Sequence, residues 1–227
     1  MTPADAAAVE INPNGPPQAC ILWLHGLGAD GNDFSPIVPE LNLPAEHRVR
    51  FVFPHAPLRP ITINRGYIMR GWYDVTDATF NEDHDLSGIR ASTAAIHDRI
   101  ASEIARGIPS RRIVLAGFSQ GGCIALHAGL SYPHPLAGIL ALSTYTVTSG
   151  DPEWTAAPAN ASTPVFMAHG IQDTVIPRRF GERSAAVLRE RGYSVEWHSY
   201  PIAHSVCPAE VADIAAWLRR VLDMGAA

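Results

Sequence analysis

The sequence predicts an α/β fold, a mostly parallel sheet with helices on both faces. Three observations lead there. Short apolar runs recur through the 227 residues. Each is continuous rather than alternating, as expected of strands covered on both faces. Amphipathic segments separate them, and the order strand, helix, strand, helix calls for parallel pairing with crossover connections.

In chain order the runs are Cys20 to Gly26, Val49 to Ala56, Arg112 to Ser119, Leu136 to Thr144, Pro164 to Gly170 and Ser194 to Tyr200. Between the second and third, Ile89, Thr93, Ile96, Ile100 and Ile104 trace a stripe at helical spacing, with Ser87 as its expected cap. Val211, Ile214, Leu218 and Leu222 trace another after the last run. The stretch from Leu58 to Leu86 has no clear period and exceeds the ~12 to 15 residues of an idle loop, so a working part is expected of it. A second irregular stretch runs from Ser149 to Thr163. The chain between Thr144 and Pro164 is too short for a long helical lid. One domain over residues 1–227 is expected, with 1–17 partly irregular, because 47% hydrophobic residues supply a core and a chain of this size buries roughly 70% of its unfolded surface.

Composition narrows the chemistry. The 17 basic residues against 22 acidic ones give a formal charge of −5, and no basic run or patch suggests nucleic acid as a partner. Every basic residue is an arginine. Without lysine there is no pyridoxal Schiff base, P-loop lysine, Ser-Lys dyad or lysine aldolase chemistry. Cys20, Cys123 and Cys207 form no CxxC pair and leave an odd count, which argues against a disulfide framework or a zinc ribbon. No basic start precedes an apolar stretch, and no run reaches the ~18 residues that span a bilayer, so a cytoplasmic setting is expected.

Gly117-Phe118-Ser119-Gln120-Gly121 lies where a strand pattern gives way to a helix pattern. GxSxG alone is only moderately specific, but this junction is where a nucleophilic serine must project from a strained turn between small neighbours. A serine hydroxyl needs a base, and the base needs an orienting acid. In this arrangement the chain order is serine, acid, histidine. Of the histidines beyond the serine's own helix, His198 falls inside a strand pattern, His169 at the end of one, and His134 in a Tyr-Pro-His-Pro turn. His204 alone sits in a loop between the last strand and the last helix, from which an imidazole can reach the sheet's carboxyl edge. Asp173, just past the fifth run, is the acid best placed by position. Asp151, Glu153, Glu182, Glu190 and Glu196 rival it on chain order, and a helix cap before Pro177 is its plainer use. Two oxyanion donors are needed; the Gln120 N–H supplies one, and the Leu27 N–H in the glycine-flanked loop Leu24-His25-Gly26-Leu27-Gly28 is expected to supply the other. His25 stands too early in the chain for the base and is expected to be structural.

Leu24 through Gly31, Gly117 through Gly122, His169 through Pro177, and Ala203-His204-Ser205 together resemble the phospholipase/carboxylesterase family of small α/β-hydrolases, which contains bacterial carboxylesterases and acyl-protein thioesterases. The resemblance covers residues 18 to 222. It implies a Ser119, Asp173, His204 triad, oxyanion donors at Leu27 and Gln120, and neither metal nor cofactor. It also implies an acyl groove formed with Met69, Trp72, Tyr73 and Tyr145. The expected activity is hydrolysis of short to medium acyl esters through an acyl-serine. Thioesterase or lysophospholipase action on the same triad is the alternative, and a non-catalytic binding module on this fold is the outside one. Partners are expected to be small ester substrates, with a weak homodimer as the expected self-association.

Overall fold

The structure is a computed structural model that describes residues 8–76, 84–147 and 151–224. Its centre is a seven-stranded sheet made of β1 (Ala8–Ile11), β2 (Ala19–Leu24), β3 (Val49–Pro54), β6 (Ile113–Phe118), β7 (Gly138–Leu142), β8 (Val165–Gly170) and β9 (Val195–Tyr200). The strands lie side by side in the order β1-β3-β2-β6-β7-β8-β9. All six apolar runs become parallel strands of this sheet, with ends within two residues of the runs. β1 pairs antiparallel with β3 at the edge and lies in the N-terminal stretch expected to be partly irregular. Its four residues are short of apolar pattern and none is fully buried, so nothing in the sequence announces it.

Continuous apolar runs are explained by two cores. Cys20, Leu22 and Leu24 of β2 point to the side of α2 (Leu86–Ala105), α3 (Gln120–Ser131) and α4 (Arg178–Glu190), while Ala19, Ile21 and Trp23 point to the other. On that second side lie α1 (Ile37–Glu40) and α5 (Pro208–Val221). Alternate residues thus face different helical layers, so neither parity can be polar. No described helix is long and apolar enough to cross a membrane.

The stretch without a period contains a hairpin, β4 (Leu58–Ile61) and β5 (Tyr67–Arg70), paired antiparallel and separate from the main sheet. Leu58, Tyr67 and Ile68 are exposed on it, which is why no buried face shows in the sequence. The hairpin is tied to the sheet's carboxyl edge: Gly28 N–H donates to the Arg70 carbonyl at 2.8 Å and Gly71 N–H to the Pro57 carbonyl at 3.1 Å.

Asp85 caps α2, in place of the expected Ser87. Asp85 Oδ1 accepts from Gly88 N–H and from the Ser87 hydroxyl, both at 2.8 Å, while Oδ2 accepts from Asp74 N–H at 2.9 Å and faces Arg59 at 3.4 Å. A carboxylate two residues earlier reaches the third helical N–H better than a serine inside the first turn. Burial raises the Asp85 pKa, but these donors outweigh it and hold the carboxyl below its usual range. Asp85→Ala should cost about 1–2 kcal/mol in urea unfolding. Because the folded pKa is depressed, the wild type's advantage should be complete above the unfolded carboxylate pKa and fade as pH falls through the folded one; an advantage that persists in acid would contradict this assignment.

Candidate active site

Parallel strands place their carboxyl ends along one edge, where ligands bind in open α/β sheets. Register aligns the ends: Leu24 with Gly117, Phe118 with Leu142, and Leu142 with Ala168. The segments carrying Leu27, Ser119, Asp173 and His204 all leave from that edge.

Ser119 joins β6 to α3 at φ 55° and ψ −122°, a conformation that costs a residue with a side chain on the order of 1–3 kcal/mol. The surroundings enforce it. Its N–H donates to the Leu142 carbonyl at 2.8 Å, and its own carbonyl accepts from Gly122 N–H at 3.0 Å, Cys123 N–H at 3.2 Å and the Thr144 hydroxyl at 2.7 Å. The flanking glycines are steric necessities: a Cβ on Gly117 would lie 2.2 Å from the Gly121 carbonyl oxygen, and one on Gly121 would lie 2.4 Å from that of Leu24. The bend presses the start of α3 against β2 and β6 and turns Ser119 Oγ toward the loop after β9.

There the imidazole of His204 stands with Nε2 2.9 Å from Ser119 Oγ and Nδ1 2.6 Å from Asp173 Oδ2. Asp173 has a fully buried side chain, and its Oδ1 accepts from the N–H groups of Val175 and Ile176, each at 2.9 Å. The local turn and the contact to His204 therefore use different oxygens of one carboxylate. The Phe118 ring packs against His204 with centroids 4.7 Å apart. Four of the five rival acids are engaged elsewhere, Asp151 and Glu153 with Arg90, Glu182 with Arg178, and Glu196 with Arg220 and His198, and Glu190 is exposed at the end of α4. His198 stacks on Phe166 at 4.8 Å.

Two other buried histidines brace the edge. His25 Nδ1–H donates to the Gly26 carbonyl at 2.7 Å and Nε2 accepts from Ala56 N–H at 3.0 Å; burial pushes its pKa down to about 4, against the raising effect of the Gly26 carbonyl. It is a neutral strut between two loops, the structural part expected of it. His169 Nε2–H donates to the Ile176 carbonyl at 2.7 Å and lies 3.3 Å from Asp173 Oδ2, and burial lowers its pKa too.

The segments of the expected oxyanion donors leave the same edge. Among the described residues neither Leu27 N–H nor Gln120 N–H has an acceptor, and Gln120 opens α3, where helical N–H groups are unpaired. A clamp unforeseen from sequence steadies Gln120: its side-chain Oε1 accepts from Trp72 N–H at 2.8 Å and its Nε2 donates to the Tyr73 carbonyl at 2.7 Å. The partners lie almost fifty residues apart in the chain, so no local pattern signals them.

The four expected groove residues divide. Met69 borders the oxyanion loop, its Sδ 3.5 Å from where a Cβ on Gly28 would sit. Trp72 and Tyr73 are buried beneath the site: the Trp72 indole N–H donates to the His25 carbonyl at 2.9 Å, and the Tyr73 hydroxyl pairs with that of Tyr145 at 3.0 Å. Tyr145 is 6% exposed. Their polar atoms hold loops together, and Trp72 also lines a cavity of about 260 Å³ with Ala95 and Ile96. Among the described residues no group of three or more His, Cys, Asp or Glu side chains is arranged to hold a metal ion.

Comparison with known proteins agrees with this architecture. Residues 5–222 match the phospholipase/carboxylesterase family. Acyl-protein thioesterase 1 of Gibberella zeae is 38% identical over 213 residues, spanning 90% of this chain and 91% of the relative; that of Mycosarcoma maydis is 37% identical, spanning 93% and 95%. Among solved structures, SOBER1 of Arabidopsis thaliana superposes with a TM-score of 0.80 at 32% identity, covering 90% of this chain and 99% of the other. Acyl-protein thioesterase 2 of Zea mays gives 0.81 at 28% identity, covering 96% and 99%. A family match over nearly the whole length, with the same fold in its neighbours, makes this chain a member of the phospholipase/carboxylesterase family of α/β-hydrolases.

Proposed function

We propose that the protein hydrolyses acyl esters, thioesters among them, through an acyl-enzyme on Ser119. The observation that carries this reading is the unbroken hydrogen-bonded chain from Ser119 Oγ through His204 to Asp173, with the serine held in a strained turn. Ser119 Oγ attacks the carbonyl carbon while His204 Nε2 takes its proton, and Asp173 keeps Nδ1 protonated and steadies the imidazolium. The oxyanion accepts from Leu27 and Gln120 N–H, each worth about 3 kcal/mol of barrier. Collapse breaks the bond to the leaving oxygen or sulfur, which receives the proton from Nε2. Water then attacks the acyl-serine by the same proton path, releasing the carboxylic acid and restoring Ser119.

Ser119→Ala should lower turnover of p-nitrophenyl butyrate on the order of 10⁶-fold, with His204→Ala comparable and Asp173→Asn nearer 10⁴-fold. Retention of more than a few per cent by Ser119→Ala sinks the mechanism. Failure of an organophosphonate to label Ser119, with no turnover, would instead favour a binding module.

The leaving atom is open on the site's own chemistry. A thiol with a pKa of about 8.5 departs with little help from a general acid, and the relatives named acyl-protein thioesterase support sulfur substrates. For matched oxygen and sulfur esters, kcat/KM should be at least as high for the thioester; an oxygen ester favoured a hundredfold or more would confine the activity to carboxylic esters.

Met69, together with the half-buried Leu27 side chain, borders the oxyanion loop on the hairpin side and is proposed to meet the acyl chain. Each buried methylene contributes up to ~0.8 kcal/mol, so preference should rise over short chains and level off at medium ones. Met69→Ala should flatten the rise from acetate to octanoate esters while acetate turnover stays close to wild type. An unchanged profile would take Met69 out of the groove.

A further inference from the structure

A cavity of about 580 Å³ opens on the other side of the candidate nucleophile, with His204 and Phe118 in its wall. Phe34, Ile37 and Val211 complete an apolar interior, and Asp33 and Glu40 add carboxylates on the side of α1. Phe34 and Phe118 are in contact, ring centroids 5.3 Å apart.

Position identifies what this cavity would hold. If His204 Nε2 returns the proton to the leaving atom, that atom must lie on the His204 side of Ser119, because the proton moves along a hydrogen bond. The oxyanion donors Leu27 and Gln120 fix the carbonyl oxygen elsewhere, and Met69 flanks Leu27 on the hairpin side. Whatever is attached to the leaving atom therefore runs past His204 and Phe118.

Charge identifies its chemistry. Neither Asp33 nor Glu40 has an ion pair among the described residues, and no arginine lines the cavity. Burial and then the neighbouring Asp30 push the Asp33 pKa up, as happens where no cation offsets a carboxylate. The positive end of α5 also borders the cavity, where Pro208 removes one of its free N–H groups. Aromatic faces beneath unpaired carboxylates favour a cationic headgroup and oppose an anionic one.

We infer that this cavity is the leaving-group subsite and that it selects esters whose alcohol carries a positive charge just beyond the ester oxygen, an alkylammonium alcohol being the simplest case. The inference rests on the hydrolase reading and adds a substrate class to it.

Butyrylcholine and its uncharged isostere 3,3-dimethylbutyl butyrate test it, since the two differ only in nitrogen for carbon. The wild type should favour butyrylcholine in kcat/KM by fivefold or more at low ionic strength, with the ratio falling toward one in half-molar salt as exposed carboxylates are screened. In the Asp33→Asn, Glu40→Gln double variant the ratio should be near one already. Calorimetric titration of Ser119→Ala with the same two esters reads the subsite without turnover and should show the same order. A wild-type ratio at or below one, or a preference that survives both salt and the double variant, overturns the inference. Absence of turnover with either ester and with p-nitrophenyl butyrate overturns the hydrolase reading instead, while the titration still decides the subsite.

Discussion

The site hangs on the bend at Ser119. One residue sits at φ 55°, and its carbonyl is held by two helix-start N–H groups and the Thr144 hydroxyl. A strained conformation persists only where its surroundings over-determine it. Here the sheet supplies the constraint, because β2, β6 and β7 end in register and leave the start of α3 no other place to go. At Gly117 and Gly121, which flank the bend, a single methyl group would collide with backbone atoms within 2.4 Å. The same approach that strains Ser119 brings the Gln120 N–H to the edge without a partner, so the proposed nucleophile and oxyanion donor are products of one packing event.

Around that bend, three histidines are sorted by what their nitrogens can reach. His25 spends both on backbone groups of neighbouring loops. His169 donates from Nε2 and has its Nδ1 against Gly181, where a Cβ would come within 2.4 Å. Burial lowers the pKa of both, so they brace Asp173 and the Leu27 loop as neutral groups. His204 is oriented by a carboxylate on one side and meets a hydroxyl on the other. Position in the hydrogen-bond network, more than residue type, separates the proposed base from its neighbours.

The edge then has two distinct flanks. The hairpin, Leu27 and Met69 stand on one, where Leu58, Tyr67 and Ile68 are exposed and the charged groups are Arg59, Arg65 and Arg70. Phe34, Phe118 and the carboxylates of Asp33 and Glu40 stand on the other. In the proposed reaction an ester laid across Ser119 sends its acyl and leaving-group halves in different directions, and the two flanks differ in the chemistry they offer those halves.

Much is legible in the amino-acid sequence. Continuous apolar runs separated by helical stripes signal a parallel sheet between two helical layers, since both parities of each strand must be apolar. Chain order nominates Ser119, Asp173 and His204, and the structure brings those three within hydrogen-bond distance. What sequence leaves undetermined depends on side chains distant in the chain. Trp72 and Tyr73 are expected in the groove because aromatic residues beside a site can line it, while their burial and their bonds to His25 and Tyr145 appear only in the folded chain. The cap of α2 falls to Asp85 rather than Ser87 because the former also reaches Asp74. The Gln120 clamp, the hairpin and the cavity shared by the α1 and α5 regions arise from segments that meet only when the sheet closes the distance. Local pattern records which faces must be buried; which groups meet across those faces is settled by packing, where partners tens or hundreds of residues apart come into contact.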